Sequence, residues 1–508
     1  MFKLKHLIFS LVASAGILVV FSSSAHAASV TVNSTDDTAT QDDGDCTLRE
    51  AINNVNEGSD TTDGGGGGDC VAGDGGNDTV ILPAGTITLA SDLPDLTTSI
   101  AIHGQGMDAT TIDGDGQWRV FEYEQSTNDD TIVIHGLGVT DFVNYAIEIA
   151  NASVDIQQVD INLSNSFVGD DFGGIVLRNN YTGANEVTTR DIRVHGLDSS
   201  DIDGSFTGFA VAGGNSAGTG STNAVIDNIT VDDLTVSDVD ANSVNVFIIS
   251  NGAYGPTGGR HTMNAQVSNI TISDIESVSF VAAFGASTIS AGGASTLNLG
   301  ARNVTISNIR GGETIYGASS GLAVGGGTIG AGATATTTVV TSNVLVSNVL
   351  NTSSSAPANC SVVDLSALFG GTGTVTNTFS SSGGNLSDDT SCSSYFTQPT
   401  DQNNITSLAS TLGTLGDYGG YVPTIPLLEG SPAIDAGVTV AGLTTDARGI
   451  SRPLGNAYDS GAYESPFTKT VESTESLANT GQSVQPLGVF TSILFSLGLM
   501  LQLRRQNV

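Results

Sequence analysis

A short unit of alternating apolar residues recurs along the middle of the chain and constrains the fold more than any other feature. Each copy alternates, breaks at a turn-prone residue and alternates again, which is typical of a strand, a tight corner and a second strand. The clearest copies are NITVDDL, NITISDI, NVTISNI and NVLVSNV, which begin at Asn228, Asn269, Asn303 and Asn343. Looser copies begin at Ser99, Thr131, Ser153 and Asp191.

Unequal spacing between copies of one strand motif favours a solenoid, because only the stacked strands must keep register while the loops differ in length. We therefore predict an all-β chain folded as a right-handed parallel β-helix. Its core would be stacked Ile, Val and Leu, and the asparagines that begin the four clearest units would bond from coil to coil. A β-sandwich is the alternative, although it would need more even spacing and fewer glycine-rich excursions such as 317–338. The units expected in one parallel sheet begin at Thr131, Asp191, Asn228, Asn269, Asn303 and Asn343.

One amphipathic helix is predicted near the start of the chain, in GDCTLREAINNVNEG at 44–58. Thr47 and Glu50 have capping-box spacing, and Leu48, Ile52 and Val55 fall on one helical face. The first coil of a β-helix exposes strand edges and an apolar interior. We expect this helix to cover that end.

The chain has four cysteines, which allow three pairings. Sequence proximity favours a disulfide between Cys46 and Cys70 and another between Cys360 and Cys392. An exported chain meets the oxidising environment that such bonds need.

The first residues have the order of a secretory signal peptide. Lys3 and Lys5 precede an apolar run to Val20, and the small-residue motif AHA ends at Ala27. This order predicts cleavage after Ala27 and export of the rest of the chain.

The last residues resemble a sortase sorting signal of the LAxTG kind. LANTG begins at Leu477 and precedes an apolar stretch at 487–503 and two arginines. That stretch just suffices to cross the ~30 Å hydrocarbon layer, and the trailing arginines fit the positive-inside tendency. The resemblance implies sortase cleavage between Thr480 and Gly481 and transfer to a cell-wall precursor. A plain C-terminal transmembrane anchor is the alternative.

Two further stretches resemble known families. CTLREAINNVN, at 46–56, is similar to the CSLREA motif of exported bacterial β-helix proteins. GGNLSDDTSC, LGDYGG, LLEGSPAIDAG, TDARGISRP and DSGAYE, between 383 and 464, resemble in order the choice-of-anchor Q domain. The resemblance implies a pectin-lyase-like β-helix with an interchangeable C-terminal anchor, and it implies no particular reaction.

These signals divide the chain into six parts. They are a signal peptide (1–27), an N-terminal cap (28–98), a β-helix body (99–380), a choice-of-anchor Q region (381–465), a linker (466–476) and the sorting signal with its membrane segment (477–508).

Acidic and basic residues alternate in the choice-of-anchor Q region. We expect carboxylate–guanidinium pairs there to pin the last coil closed. A catalytic carboxylate pair is the alternative, but nothing in the sequence supplies a cleft. The residues are Asp435, Asp446, Arg448, Arg452, Asp459 and Glu464.

The chain carries 52 acidic and 15 basic residues, a formal net charge of −37. Nucleic acids and anionic lipid surfaces would repel such a protein. Lys469 is the only lysine after Lys5, so the body has none.

A hydrolase is the rival functional class. GDD at 169–171 and VHG at 194–196 resemble the carboxylate pair and His-Gly of polygalacturonases, and Asp170 and Asp171 are the catalytic candidates. Against this, the body lacks the lysine of the basic polygalacturonase element. His103, His135 and His195 also take the same position in their units, which indicates a recurring turn feature.

Two acidic stretches resemble calcium-binding sequences. GDGGNDTVI at 73–81 resembles one nonapeptide calcium repeat, and DGDG at 113–116 adds oxygen ligands. Single copies bind poorly because each ion sits between stacked repeats, so we expect turns there and no metal or cofactor. The sequence as a whole predicts an exported, wall-anchored surface protein, structural or adhesin-like, with glycan or protein partners and no catalytic site.

Overall fold

The computed structural model describes residues 27–469 apart from 127–128, 165, 167–170, 181, 200–204, 215–217, 238–242, 254–258, 315–316 and 355. Most of the predicted signal peptide, Asp170 and the whole of the predicted sorting signal lie outside the described residues. Within the described part, no helix is long and apolar enough to cross a membrane.

The described chain is almost entirely β-strand and loop. The α-helix α1 spans Leu48–Glu57, and short 3-10 helices span Ser391–Ser394 and Ala409–Thr411. The strands are β1 Ser29–Thr31, β2 Asp78–Ile81, β3 Gly85–Thr88, β4 Ile100–His103, β5 Thr110–Asp113, β6 Phe121–Glu124, β7 Thr131–Thr140, β8 Tyr145–Ala150, β9 Ser153–Asn162, β10 Asp171–Asn179, β11 Gly183–Ser199, β12 Ser205–Gly213, β13 Thr219–Val236, β14 Ser243–Ala253, β15 Arg260–Ser277, β16 Val281–Ala291, β17 Ala294–Gly311, β18 Glu313–Thr314, β19 Gly317–Ala318, β20 Ser320–Ile329, β21 Thr334–Asn351, β22 Cys360–Asp364, β23 Thr374–Ser381 and β24 Leu386–Ser387.

The strands stack into two long parallel sheets. The first sheet runs β1-β2-β4-β7-β9-β11-β13-β15-β17-β21-β23, and the second runs β22-β20-β16-β14-β12-β10-β8-β6. Inward side chains of both sheets form one continuous apolar core. The predicted parallel β-helix is therefore confirmed, and all six named units lie in the first sheet, where they pair in parallel.

The long strands of the first sheet bend at a first corner, where one residue adopts a left-handed backbone. Asparagine and aspartate tolerate this conformation better than other residues with a side chain. Asn343 Nδ2 donates to Asn303 Oδ1 at 3.0 Å, and Asn303 Nδ2 donates to Asn269 Oδ1 at 3.3 Å, as predicted. The first-corner residues are Asp191, Asn228, Asn269, Asn303 and Asn343.

A second left-handed corner, which the repeat pattern did not predict, follows five residues later. Its residues also bond along the axis, as when Asn348 Nδ2 donates to Asn308 Oδ1 at 3.1 Å. We call the stretch before the first corner the first arm and the stretch between the corners the middle arm. The second-corner residues are Gly196, Asp233, Asp274, Asn308 and Asn348.

The expectation that three histidines share one position is wrong for His195. His103 pairs in register with His135, and both precede the first corner. His195 pairs with Asn162 and Asp232 and precedes the second corner instead. Alternation with a period of two is the same on both arms, so the local pattern could not distinguish them.

The N-terminal helix forms as predicted. Thr47 and Glu50 make the reciprocal capping box, and Leu48, Ile52 and Val55 are fully buried in the main core. Both expected disulfides are confirmed, and the pairs are Cys46 with Cys70 and Cys360 with Cys392.

The C-terminal region, 383–469, does not simply close the last coil. It folds back over the middle arms of the first sheet: Ala462 N donates to Thr305 Oγ1 at 2.9 Å, and Thr230 Oγ1 donates to the Pro423 carbonyl at 2.8 Å. Leu345 of β21 is buried in the small core of this region. The ion pairs expected to pin the last coil closed therefore lie in a region that contacts the coils from β13 to β21.

Candidate functional site

The first arms of the first sheet present a flat, solvent-facing array of hydroxyl and amide groups, which we call the polar face. Neighbouring strands lie about 4.8 Å apart and alternate residues about 6.7 Å apart, so the side chains form a regular lattice. One row is Ser221, Thr262, Thr296, Thr336 and Thr376. The adjacent row is Asn223, Asn264, Asn298, Thr338 and Thr378.

The polar face results from strict alternation of buried apolar and solvent-facing polar side chains along each first arm. Met263 and Leu297, which lie between its members on β15 and β17, are fully buried in the core. Their neighbours Thr262, Asn264 and Asn298 point to solvent because successive side chains of a strand leave opposite faces. Each coil therefore contributes one hydroxyl or amide to each row.

Hydrogen bonds order the amides of the polar face before any ligand arrives. Asn298 Nδ2 donates to Asn264 Oδ1 at 3.0 Å, and Asn264 Nδ2 donates to Asn223 Oδ1 at 3.2 Å. Asn223 Nδ2 in turn donates to Glu186 Oε1 at 2.9 Å. An amide keeps a second N–H and a further lone pair after such a bond, so the row can still donate to and accept from a partner.

The polar face offers hydrogen-bonding groups to a partner but holds no side chain that is suited to catalysis. Its two rows contain no acid, base, thiol or imidazole, and unactivated Ser and Thr hydroxyls are weak nucleophiles. Ordered donors and acceptors on a repeating lattice suit a partner with an equally regular array of hydroxyl or amide groups.

The hydrolase candidates are only partly described. Asp170 lies outside the described residues, and Asp171 begins β10, although its side chain is not described. His195 Nε2 lies 3.2 Å from Asp160 Oδ2 on the middle arms. Arg193, two residues earlier, makes two hydrogen bonds with the buried carboxylate of Asp232, at 2.9 and 2.7 Å.

Two arginines of the C-terminal region form buried ion pairs. Arg448 Nη2 lies 2.6 Å from Asp446 Oδ2, and its guanidinium stacks over the Tyr463 ring. Arg452 Nη1 lies 2.8 Å from Glu464 Oε2, and both side chains are fully buried.

Asp435 and Asp459, the other two acidic residues predicted to form ion pairs, accept hydrogen bonds from backbone N–H groups instead. Asp459 accepts from the backbone of Asp435 and Ser465, at 2.7 and 2.6 Å. Asp435 accepts from Asn456 and Ala457. This cluster therefore supports the folded C-terminal region, which in turn rests on the first sheet.

Burial raises the pKa of Asp459 to about 7, against the opposing effect of its two backbone donors. The folded state therefore holds a proton that the unfolded state releases near pH 4, so this residue's contribution to stability is lost as pH rises through 7. We expect Asp459→Asn to flatten the fall in stability between pH 4 and pH 7. Urea midpoints across that range would check this, and an unchanged slope would contradict it.

In the two loops that resemble calcium-binding sequences, aspartate carboxylates accept hydrogen bonds from backbone N–H groups. Asp78 accepts from Ala28 N at 2.7 Å and from Asp74 N at 3.1 Å, and Asp113 accepts from Asp115 N at 2.9 Å. Among the residues the structure describes, no group of three or more His, Cys, Asp or Glu is placed to hold a metal ion.

The polar face was missed at the sequence level although its signal is present. TATTT at 334–338 and TVTNT at 374–378 place hydroxyls at every second position, but nothing local shows that they stack in register with each other and with ASTLN at 294–298. In comparisons with known proteins, no family model, no curated protein and no solved structure matches the chain.

Proposed function

We propose that the protein is a bacterial cell-surface module, anchored to the wall, whose polar face binds an uncharged glycan in an adhesin-like or structural role. The observation that carries the proposal is the in-register pair of hydroxyl and amide rows across five consecutive strands of the first sheet. A glycan chain presents hydroxyls at regular intervals, and a lattice of ordered polar groups can meet many of them at once.

The charge of the chain narrows the class of glycan. At a net charge of −37, a polymer of uronates or phosphates would be repelled over several ångströms at physiological ionic strength. A neutral polymer would experience no such repulsion. The two rows are themselves uncharged, so binding would depend on hydrogen bonds and shape and would change little with salt.

The signal peptide and the LANTG motif support display outside the cell. They predict export through cleavage after Ala27 and attachment near Thr480 by a sortase. A rigid solenoid held at one end would expose the whole polar face to the surroundings. The choice-of-anchor resemblance of the C-terminal region fits the same arrangement.

Removing two hydroxyl groups from the polar face should test the glycan proposal. We expect the double variant Thr296→Val and Thr336→Val to bind at least tenfold more weakly, about 1.4 kcal/mol, because it keeps the shape of the lattice but leaves two ligand hydroxyls without a partner. Co-sedimentation with insoluble cellulose, chitin and β-1,3-glucan would measure binding, and soluble polygalacturonate would serve as an anionic competitor.

The matched control is Thr235→Val, since Thr235 is a half-buried threonine of β13 that lies beyond the second corner and outside the polar face. This control should bind like the parent. Failure of the parent to sediment with any neutral polymer would contradict the proposal. Equal binding by the double variant would place the glycan site elsewhere.

A further inference from the structure

A crevice lies where the first sheet meets the C-terminal region. Its volume is about 240 Å³, which suits a small polar molecule rather than an extended chain. Asp227 belongs to β13 and lies four residues beyond Asn223 of the polar face, about 13 Å along the strand. The crevice is lined by Arg190, Asp191, Asp227, Asn228, Tyr421 and the loop at 445–449.

A break in the first-corner ladder leaves one buried acceptor in the crevice unused. Asn269 Nδ2 donates to Asp227 Oδ1 at 3.0 Å instead of continuing the ladder to Asn228. Asn228 is only 6% exposed, and its Nδ2 donates to Asp191 Oδ1 at 2.5 Å. Among the described residues, Asn228 Oδ1 has no hydrogen-bond partner, and a buried acceptor in that state is costly unless something donates to it.

Charged groups of both signs stand beside this acceptor. Asp191 is 7% exposed and Arg190 has a half-exposed side chain, whose Nε lies 3.9 Å from Asp227 Oδ2. That ion pair is loose, so the guanidinium retains N–H groups for a ligand. A molecule with adjacent hydroxyls could donate to Asn228 and Asp191 while accepting from Arg190.

An aromatic ring stands at the rim, on a loop that is held in place. Tyr421 is 54% exposed, and the bonds between Gly416 and Thr424 close its loop at 3.0 and 3.1 Å. Gly420 has a φ of +92°, and a Cβ there would meet Arg448 Cα at 2.8 Å, so only glycine allows this approach. The ring is an apolar plane next to a polar cleft.

We propose that the crevice is a subsite for a single neutral pyranose unit, which stacks on Tyr421 and gives its vicinal hydroxyls to Asn228, Asp191 and Arg190. A pyranose combines an apolar C–H face with directed hydroxyls, and this lining offers both an aromatic plane and paired donors and acceptors. The inference rests on the proposed function, because the subsite would hold one sugar of a chain that lies along the polar face.

Saturation-transfer NMR on the purified full-length protein tests the subsite. The probes are the methyl glycosides of glucose, galactose, mannose and N-acetylglucosamine, each at millimolar concentration. We expect binding of at least one probe, at least fivefold weaker binding for Tyr421→Ala and for Arg190→Gln, and parent-like binding for Tyr421→Phe, which keeps the ring. Arg260→Gln is the matched control, since Arg260 is an exposed arginine on the same arm of a later coil.

The outcomes separate the subsite from the polar face. Sedimentation with a neutral polymer in the absence of any methyl glycoside binding would overturn the subsite and leave the polar face as the binding surface. Methyl glycoside binding that depends on Tyr421, in a protein that sediments with no polymer, would support the subsite and contradict the proposed function. Equal binding by the parent and Tyr421→Ala would overturn the assignment of the crevice.

Discussion

Replacing Arg452 with alanine should lower the free energy of unfolding by about 3–5 kcal/mol, because it leaves a buried carboxylate without its cation. Arg452 is fully buried at its side chain and donates to Glu464 Oε2 at 2.8 Å. It also donates to the carbonyls of Asp459 and Gly461, at 3.0 and 2.7 Å. Equilibrium urea unfolding followed by circular dichroism would measure the loss.

The expected effect is large because Arg452 supports the contact between the C-terminal region and the first sheet. Gly461 N donates to the Asn343 carbonyl at 2.8 Å, next to the carbonyl that Arg452 holds. Arg310→Ala is the control, since Arg310 is exposed on β17 and should change stability by less than about 0.5 kcal/mol. A loss below 1 kcal/mol for Arg452→Ala would show that the buried pair is not needed for the fold.

Replacing Thr480 with alanine should abolish covalent attachment to the wall. In a sortase substrate, the enzyme's cysteine attacks the Thr480 carbonyl, breaks the bond to Gly481 and passes the acyl group to an amine of the wall precursor. The parent should be released only by wall-digesting enzymes and end at Thr480. The variant should be extracted by detergent.

The position of Lys469 also predicts how many copies of the protein are joined at each attachment point. Lys469 is the only lysine after Lys5 and lies in the predicted linker, so we expect single-copy attachment and no polymerisation through lysines of the body. Mass spectrometry of the surface form decides the mode of attachment. An intact Val508 on the parent would show a plain transmembrane anchor and contradict the sortase prediction.

Local patterns in the sequence determined the coil architecture, the N-terminal helix and the disulfides. Alternation with a period of two specifies a strand with one buried face, and Thr47 with Glu50 specifies the start of the helix. Cys46 and Cys70 are separated by 24 residues, and Cys360 and Cys392 by 32. These features depend on neighbours along the chain, which is why sequence alone predicted them.

Only the tertiary structure decided which alternating segments share an arm and which surfaces they build. The bonds from the C-terminal region to Thr230, Thr305 and Asn343 join residues separated by 193, 157 and 95 positions. Hydrophobic alternation carries no information about such distant partners, since every arm alternates with the same period of two residues. The position of His195, the polar face and the crevice all follow from coil-to-coil register and from the folded-back C-terminal region, which no local pattern encodes.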